Sequence, residues 1–166
     1  MGNHVIANLA RQAAKQGLNV RLRANGVSMF PYIWPGDMVT FRPIREGETP
    51  QRGAVTVAET EERDRFILHR VVKSEGDYII TRGDSNMAND APHTLTQIIG
   101  VLTKVESSRF HFSRHVGEGR GLWSAWMLGA ASVSHGINHA LVMAAQLINS
   151  LLKRVGLKQG RKTPEA

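Results

Sequence analysis

The sequence of 166 residues contains no cysteine. Disulfide bonds, zinc sites built from thiolates and a cysteine nucleophile are therefore excluded. The first twenty or so residues also lack the apolar run of a secretory signal peptide, because Arg11 and Lys15 interrupt it. We therefore expect no signal peptide at this end of the chain.

Charge of either sign is missing from residues 121–152. A bilayer span needs only about 20 residues, but this stretch is not uniformly apolar. Apolar side chains such as Trp126 and Leu141 follow one helical face, and polar ones such as His135 and Asn149 follow another. The pattern predicts an apolar or amphipathic helix over 121–155 that lies in a membrane interface or packs on a partner protein. A spanning helix and ordinary core packing remain alternatives.

Acidic residues are outnumbered, with 14 Asp and Glu against 21 Lys and Arg. The basic residues are spread along the chain apart from a concentration near the C-terminus, where 156–166 is expected to be a disordered basic tail. No aromatic residues are interleaved with the basic ones of this tail, so nucleic-acid binding through it would rest on charge alone, and we expect no nucleic-acid partner.

Hydrophobic periodicity predicts a mainly β fold. Residues 1–17 fit a short amphipathic helix, for which Gly17 is a plausible C-terminal cap. The following residues, 18–106, alternate apolar and polar positions in short runs separated by turns, which predicts a small sheet or a partly closed barrel. The expected strands are 18–24, 38–41, 53–58, 66–72, 78–81 and, as the last, 98–105. A Ser-, Arg-, His- and Gly-rich linker is expected at 107–120.

Ser28 is the first candidate for chemistry. It lies in the stretch 26–31, Gly-Val-Ser-Met-Phe-Pro, which is followed by Pro-Gly-Asp at 35–37. Glycine frees the backbone before the serine, and the prolines stiffen the chain after it. We therefore expect the Ser28 hydroxyl on a rigid, exposed turn at the end of a strand, although an ordinary turn can contain the same residues.

A serine hydroxyl becomes a good nucleophile only when a nearby base takes its proton. His69 is the best candidate, because it sits in an apolar strand where a core position would hold an aliphatic residue; a hydrogen-bonded structural histidine is the alternative. Asp84 and Asp90 follow the next strand, and either could orient an imidazole or simply cap a loop.

His135 and His139 are four residues apart on the predicted C-terminal helix, a spacing that can bind a metal ion. They lack the glutamate of a HExxH motif and an evident third ligand. We expect no metal site and no cofactor.

Together these motifs resemble the signal peptidases, the S24/S26 family of serine peptidases. The matching boxes are Gly-Val-Ser-Met-Phe-Pro with Pro-Gly-Asp, then Leu-His-Arg-Val-Val, then Arg-Gly-Asp-Ser-Asn with a later Asp, in the family's order. Histidine before Arg-Val is similar to the endoplasmic-reticulum and archaeal branch, whereas the bacterial branch uses lysine. The chain departs from that branch because it begins without a membrane helix and has Gly53-Ala54 where a Gly-Asp is common.

The resemblance implies a β-rich peptidase domain over 18–106, with Ser28 as nucleophile and His69 as general base. It identifies Asp90 with the family's essential aspartate and Asp84 with the Gly-Asp of the same box. Met29 and Pro31 belong to the serine box and would support the site. An oxyanion hole would be formed partly by the backbone near Ser28.

The expected function is therefore a serine endopeptidase that cleaves a leader or precursor peptide near a membrane. A non-enzymatic membrane adaptor with the same fold is an alternative, as is a self-processing member of the superfamily, although those relatives use lysine and carry a DNA-binding domain. The basic residues after Leu152 favour a cytoplasmic tail. An interfacial helix on the cytoplasmic face of a membrane best fits this sequence.

Overall fold

The computed structural model describes residues 3–60, 66–107 and 109–116. This part of the chain is mainly β, as predicted, with one N-terminal helix and a curled antiparallel half-barrel sheet. The helix α1 covers Asn3–Lys15. The strands are β1 Val20–Arg23, β2 Met38–Pro43, β3 Val55–Glu59, β4 Phe66–Glu75, β5 Tyr78–Arg82, β6 His93–Thr94, β7 Ile98–Ser107 and β8 Phe112–His115.

The strands lie in the order β1-β2-β7-β3-β4-β5-β6, and β8 also pairs with β7. The start of β7 pairs with β3, and its end, from Lys104, pairs with β8, so β8 occupies the edge that β3 leaves free. On its other side β7 pairs with β2 over most of its length. The late strand β7 therefore lies between early strands, an arrangement made of non-local contacts.

Alternation along β3 separates two apolar clusters on the two faces of the sheet. Val55 and Val57 pack in the larger cluster, together with Met29, Tyr32 and Ile33 from the segment after β1. Ala54 and Ala58 pack in the smaller cluster with residues of β4, β5 and β7. The larger cluster thus attaches the Ser28 segment to the sheet.

Helix α1 packs near β1, β2 and β7, and Ala10 is its buried residue among the described side chains. An ion pair joins Arg11 to Glu59 at the end of β3. Gly17, with a φ of 75°, follows the helix in the left-handed conformation that favours glycine. These contacts hold the helix against the sheet, and the predicted cap at Gly17 lies directly after it.

Two strands correct the prediction. Ile98–Val105 was expected to be the last strand, but β8 follows it at Phe112–His115, inside the segment 107–120 that was expected to be a linker. The short strand β6, His93–Thr94, was also not predicted. β8 has only one large apolar residue and is mostly exposed, so its sequence lacks the alternation by which strands are recognised.

Residues 117–166 lie outside the described residues, and with them the predicted helix at 121–155, the tail at 156–166 and the pair His135 and His139. Within the described residues no helix has the length and apolar character needed to cross a bilayer.

Candidate active site

Ser28 lies in the loop between β1 and β2, and hydrogen bonds close the base of this loop. The Ala24 amide donates to the Asp37 carbonyl at 2.9 Å, and the Gly36 amide donates to the Ala24 carbonyl at 2.6 Å. The carboxylate of Asp37 is buried and accepts a bond from the Trp34 amide at 2.9 Å. The predicted rigid turn is therefore a closed loop whose Pro-Gly-Asp end is fastened to the strand that precedes Ser28.

Apolar side chains anchor the same loop from below. Met29 and Ile33 are buried in the larger apolar cluster, so the residues that follow Ser28 cannot shift without disturbing the core. Pro31 is half-buried and follows Phe30 through a cis peptide bond. Met29 thus anchors the loop in the core, and Pro31 lies in the same loop.

The loop after β5 fastens Ser28 from a second side. The Ser85 amide donates to the Ser28 carbonyl at 2.9 Å, and the Ser85 hydroxyl donates to the Val27 carbonyl at 3.0 Å. Gly83 lies directly against Ser28: a Cβ added there would lie 2.7 Å from the Ser28 carbonyl oxygen. Two loops far apart in the sequence therefore meet at the serine, and glycine is needed for their close approach.

A short hydrogen bond joins His69 to Asp90. His69 Nδ1 lies 2.6 Å from Asp90 Oδ2, and the imidazole is buried. The Thr81 hydroxyl donates to the same carboxylate oxygen at 2.6 Å, and the Asp90 amide donates to the Thr81 carbonyl. Burial alone would raise the pKa of Asp90, but the hydrogen bonds from His69 and Thr81 outweigh it and lower the pKa below its ordinary value.

Asp84 has a different partner. Arg70 donates two hydrogen bonds of 2.7 Å to its carboxylate, and a third of 2.8 Å to the Gly53 carbonyl. The Arg70 guanidinium also lies 4.7 Å from the centre of the Tyr32 ring. Burial raises the pKa of Asp84, while the paired guanidinium opposes that shift. This buried ion pair links β4 to the loop after β5, which in turn bonds to the loop that contains Ser28.

Ser28, His69 and Asp90 line one cleft with a volume of about 1100 Å³. Its floor is apolar and includes Met29 and Phe41, and β1 forms one of its walls. Within the described part of the chain, no hydrogen bond joins Ser28 Oγ to His69. Contacts between base and nucleophile are often long in a free enzyme and shorten when substrate binds.

The structure distinguishes Asp84 from Asp90, either of which could orient an imidazole on residue type alone. Asp90 bonds to His69, and Asp84 bonds to Arg70. Sequence reasoning missed Arg70 and Thr81. A charged residue in the apolar run of β4 was a signal for Arg70, because a buried charge needs a partner. Nothing in the sequence distinguished Thr81 from an ordinary strand threonine.

Among residues 3–60, 66–107 and 109–116, no group of three or more His, Asp or Glu side chains is arranged to hold a metal ion. Comparisons of the chain with protein-family models, curated proteins and solved structures found no match.

Proposed function

We propose that this chain is a serine endopeptidase in which Ser28 is the nucleophile, His69 the general base and Asp90 the residue that orients His69. The observation that carries the proposal is the 2.6 Å bond between His69 Nδ1 and Asp90 Oδ2, in the wall of a cleft that Ser28 also lines. Three sequence boxes that are distant along the chain contribute to this one cleft. Their convergence supports a relationship to the signal peptidases of the S24/S26 family.

The hydrogen bond decides which nitrogen of His69 is basic. A carboxylate with a lowered pKa is ionised near neutral pH and can only accept, so His69 Nδ1 carries a hydrogen and donates a hydrogen bond to Asp90. Nε2 is then left with a lone pair to take the proton of the Ser28 hydroxyl. Asp90 stabilises the imidazolium that forms.

The reaction is acyl transfer in two steps. Ser28 Oγ attacks the scissile carbonyl carbon while His69 Nε2 takes the hydroxyl proton and then delivers it to the leaving amine. Water attacks the resulting ester with His69 as base, which releases the carboxylate product and restores Ser28. Among the described residues, the backbone N–H groups of Ser28 and Met29 have no hydrogen-bond acceptor, so they are available to bind the oxyanion.

The cleft suits an extended peptide. β1 is the end strand of the sheet, so one of its edges carries no partner among the described residues. The first residues of β4, Phe66–His69, are also unpaired on the side of β5, because the pairing of β4 with β5 begins only at Arg70. A substrate chain can add to such an edge through its backbone, while its side chains enter the apolar floor. We propose a leader or precursor peptide as the substrate.

We further propose that cleavage occurs at a membrane, most simply at its cytoplasmic face. The uncharged segment 121–152 supports this location through its length and its tryptophans. A partner protein that binds the same segment would deliver the peptidase to its substrate in the same way.

Mass spectrometry of precursor proteins that are co-expressed with the chain tests the proposal. We expect cleavage with the wild type and with Ser113→Ala, an exposed serine on β8, and none with Ser28→Ala or His69→Ala. Circular dichroism must report the same fold for all four proteins. The cleaved precursor would also identify the substrate and the scissile bond.

Precursors that stay intact with the wild type as well as with Ser28→Ala would contradict the peptidase proposal. That result would favour an adaptor that keeps the fold without turnover and acts through residues 121–155. Cleavage that persists in Ser28→Ala would assign the chemistry to another residue or to a contaminating peptidase.

A further inference from the structure

Aromatic side chains form an exposed patch beside the loop that carries Ser28. Phe110 is 50% exposed and Phe112 is 37% exposed, although both are large apolar residues. Their rings are nearly parallel, with centres 6.4 Å apart, and Phe110 also meets Trp34 edge-on at 5.3 Å. We call Trp34, Phe110 and Phe112, with the two arginines described next, the aromatic patch.

Two arginines hold their guanidinium groups against these rings. Arg109 lies 5.5 Å from the centre of the Trp34 ring, and Arg114 lies 5.6 Å from the centre of the Phe112 ring. Arg114 also stacks on Tyr32 at 3.9 Å and donates to the Tyr32 carbonyl. Residues 109–116 contain two arginines and no acidic side chain, so this segment carries a net positive charge.

The position of the patch along the chain suggests what it contacts. The described segment that contains β8 ends at residue 116, and only four residues, 117–120, separate it from the uncharged stretch 121–152. That stretch begins with Trp123 and Trp126, the residue type that is enriched where protein meets the lipid headgroups. The aromatic patch and the start of this stretch are therefore close neighbours in the sequence.

We propose that the aromatic patch is a docking surface for a membrane that contains anionic lipids. The phenylalanine and tryptophan rings enter the headgroup region, where amphipathic and aromatic side chains are stable. Arg109 and Arg114 attract the anionic headgroups. The patch joins the Ser28 loop through Trp34 and Tyr32, so docking fixes the orientation of the cleft relative to the lipid surface.

This inference adds a binding surface to the proposed function but does not depend on the chemistry at Ser28. Because the chain has no native cysteine, a single cysteine can be placed on the patch and labelled with an environment-sensitive fluorophore. We would label Phe110→Cys in the full chain, and use Tyr78→Cys as the matched control, since Tyr78 is 54% exposed on β5. Both are made in the wild-type and the Ser28→Ala background.

The labelled proteins are mixed with vesicles of phosphatidylcholine, alone or with phosphatidylglycerol, and with acyl chains that carry bromine as a quencher. We expect the label at position 110 to shift to the blue and to be quenched in the anionic vesicles, with a weaker response at high salt. The label at position 78 should not respond. The same result in the Ser28→Ala background would separate docking from catalysis.

The proposal would be overturned if the protein bound vesicles while the label at position 110 stayed unquenched, or if the label at position 78 were quenched as strongly. Equal binding to neutral and anionic vesicles would also overturn it, as would the absence of any binding. A label at position 110 that is already shielded before vesicles are added would also overturn it, because residues 121–152 or a second copy of the chain would then cover the patch.

Paired substitutions give an independent measurement. Phe110→Ser with Phe112→Ser should lower the partition coefficient into anionic vesicles by about tenfold, because two rings no longer enter the interface. Leu9→Ser with Leu18→Ser removes two other exposed apolar side chains, which are 58% and 55% exposed, and should leave partitioning unchanged. Equal effects of the two pairs would contradict a specific role of the patch.

Discussion

Gly83 lies so close to Ser28 that no side chain fits between them. A Cβ at position 83 would lie 2.7 Å from the Ser28 carbonyl oxygen and 2.9 Å from Ser28 Cβ. Both neighbours are part of a loop that is closed by hydrogen bonds and anchored in the core, so neither can move aside at low cost. The glycine of the Gly-Asp pair thus sets the position of the proposed nucleophile.

Gly83→Ala should therefore lower kcat by more than the loss of folded protein can explain. We expect kcat to fall by about tenfold or more, because small displacements of a nucleophile are costly in rate. The free energy of unfolding should fall by about 1–3 kcal/mol from the overpacking. Steady-state kinetics on the identified precursor peptide and urea denaturation measure the two effects.

Gly47→Ala is the matched control for this substitution. Gly47 has a φ of 72°, and a Cβ there meets nothing within 4 Å, so alanine is strained without touching the site. We expect a loss of about 1 kcal/mol in stability and unchanged kinetics. A loss of activity in proportion to stability in both variants would mean that Gly83 has no special relation to Ser28.

Thr81 should act as a positioning residue for Asp90. Thr81→Val keeps the shape of this fully buried side chain but removes the hydroxyl that donates to Asp90 Oδ2 at 2.6 Å. Asp90 would then be held by His69 and its own backbone alone, and we expect kcat to fall by about tenfold with little change in KM. Thr81→Ser keeps the donor and should restore most of the rate.

A purely structural role of Thr81 predicts a different pattern. Thr81→Ser leaves a small cavity, so a structural residue would lose stability in the serine variant and retain more of it in the isosteric valine variant. Kinetics that follow stability rather than the presence of the hydroxyl would contradict the positioning role.

The sequence predicted those parts of the fold that depend on local alternation. β1, β3 and β5 follow runs in which apolar and polar residues alternate or in which both faces are buried, so their approximate positions were readable. The place of β7 between β2 and β3 arises from pairing between distant segments, and no local pattern encodes it. β6 has two residues and was too short to recognise.

The same division holds for the candidate site. Ser28 and His69 stood out because a serine box and a histidine in an apolar strand are local features. The separate partners of Asp84 and Asp90 depend on how the loop after β5 folds back onto β4, which residue types alone did not determine. Adjacent strand residues point to opposite faces, so His69 and Arg70 take different carboxylates.

Asp90 and Asp84 should respond differently to the same chemical change. Asp90→Asn removes the negative charge beside His69 and can stabilise the wrong tautomer, so we expect kcat to fall by about 10²–10⁴-fold. Asp84→Asn leaves the buried Arg70 guanidinium without its counter-charge, and we expect a loss of about 3–5 kcal/mol in the free energy of unfolding. Kinetics and urea denaturation of both variants separate catalysis from stability.

The double variant Arg70→Met with Asp84→Asn is the control, because it also removes the guanidinium charge that Asp84→Asn alone leaves unpaired. This double variant should be more stable than Asp84→Asn alone, since the cost lies in the unpaired guanidinium. Equal stability of the single and double variants would show that Asp84 stabilises the loop by packing and not by its charge.

Glu48 offers a test of pH dependence far from the candidate site. Arg42 donates to both of its carboxylate oxygens, at 2.8 and 2.5 Å, and the Arg45 amide donates at 2.9 Å. The Arg42 side chain lowers the pKa of Glu48 to about 2, against the desolvation that burial imposes. Because the pKa is lower in the folded state, this carboxylate stabilises the fold above the unfolded pKa and loses that effect as pH falls towards about 2.

Glu48→Gln should therefore cost about 1 kcal/mol at pH 7, since solvent screens a pair near the surface. The difference from wild type should shrink as pH falls below the ordinary glutamate pKa of 4.5 and vanish near the folded value of about 2. Urea denaturation at a series of pH values measures it, with Glu46→Gln in the same loop as the control that should change nothing. A difference that persists at the lowest pH would assign the stabilisation to packing of the side chain, because by then both proteins are uncharged at this position.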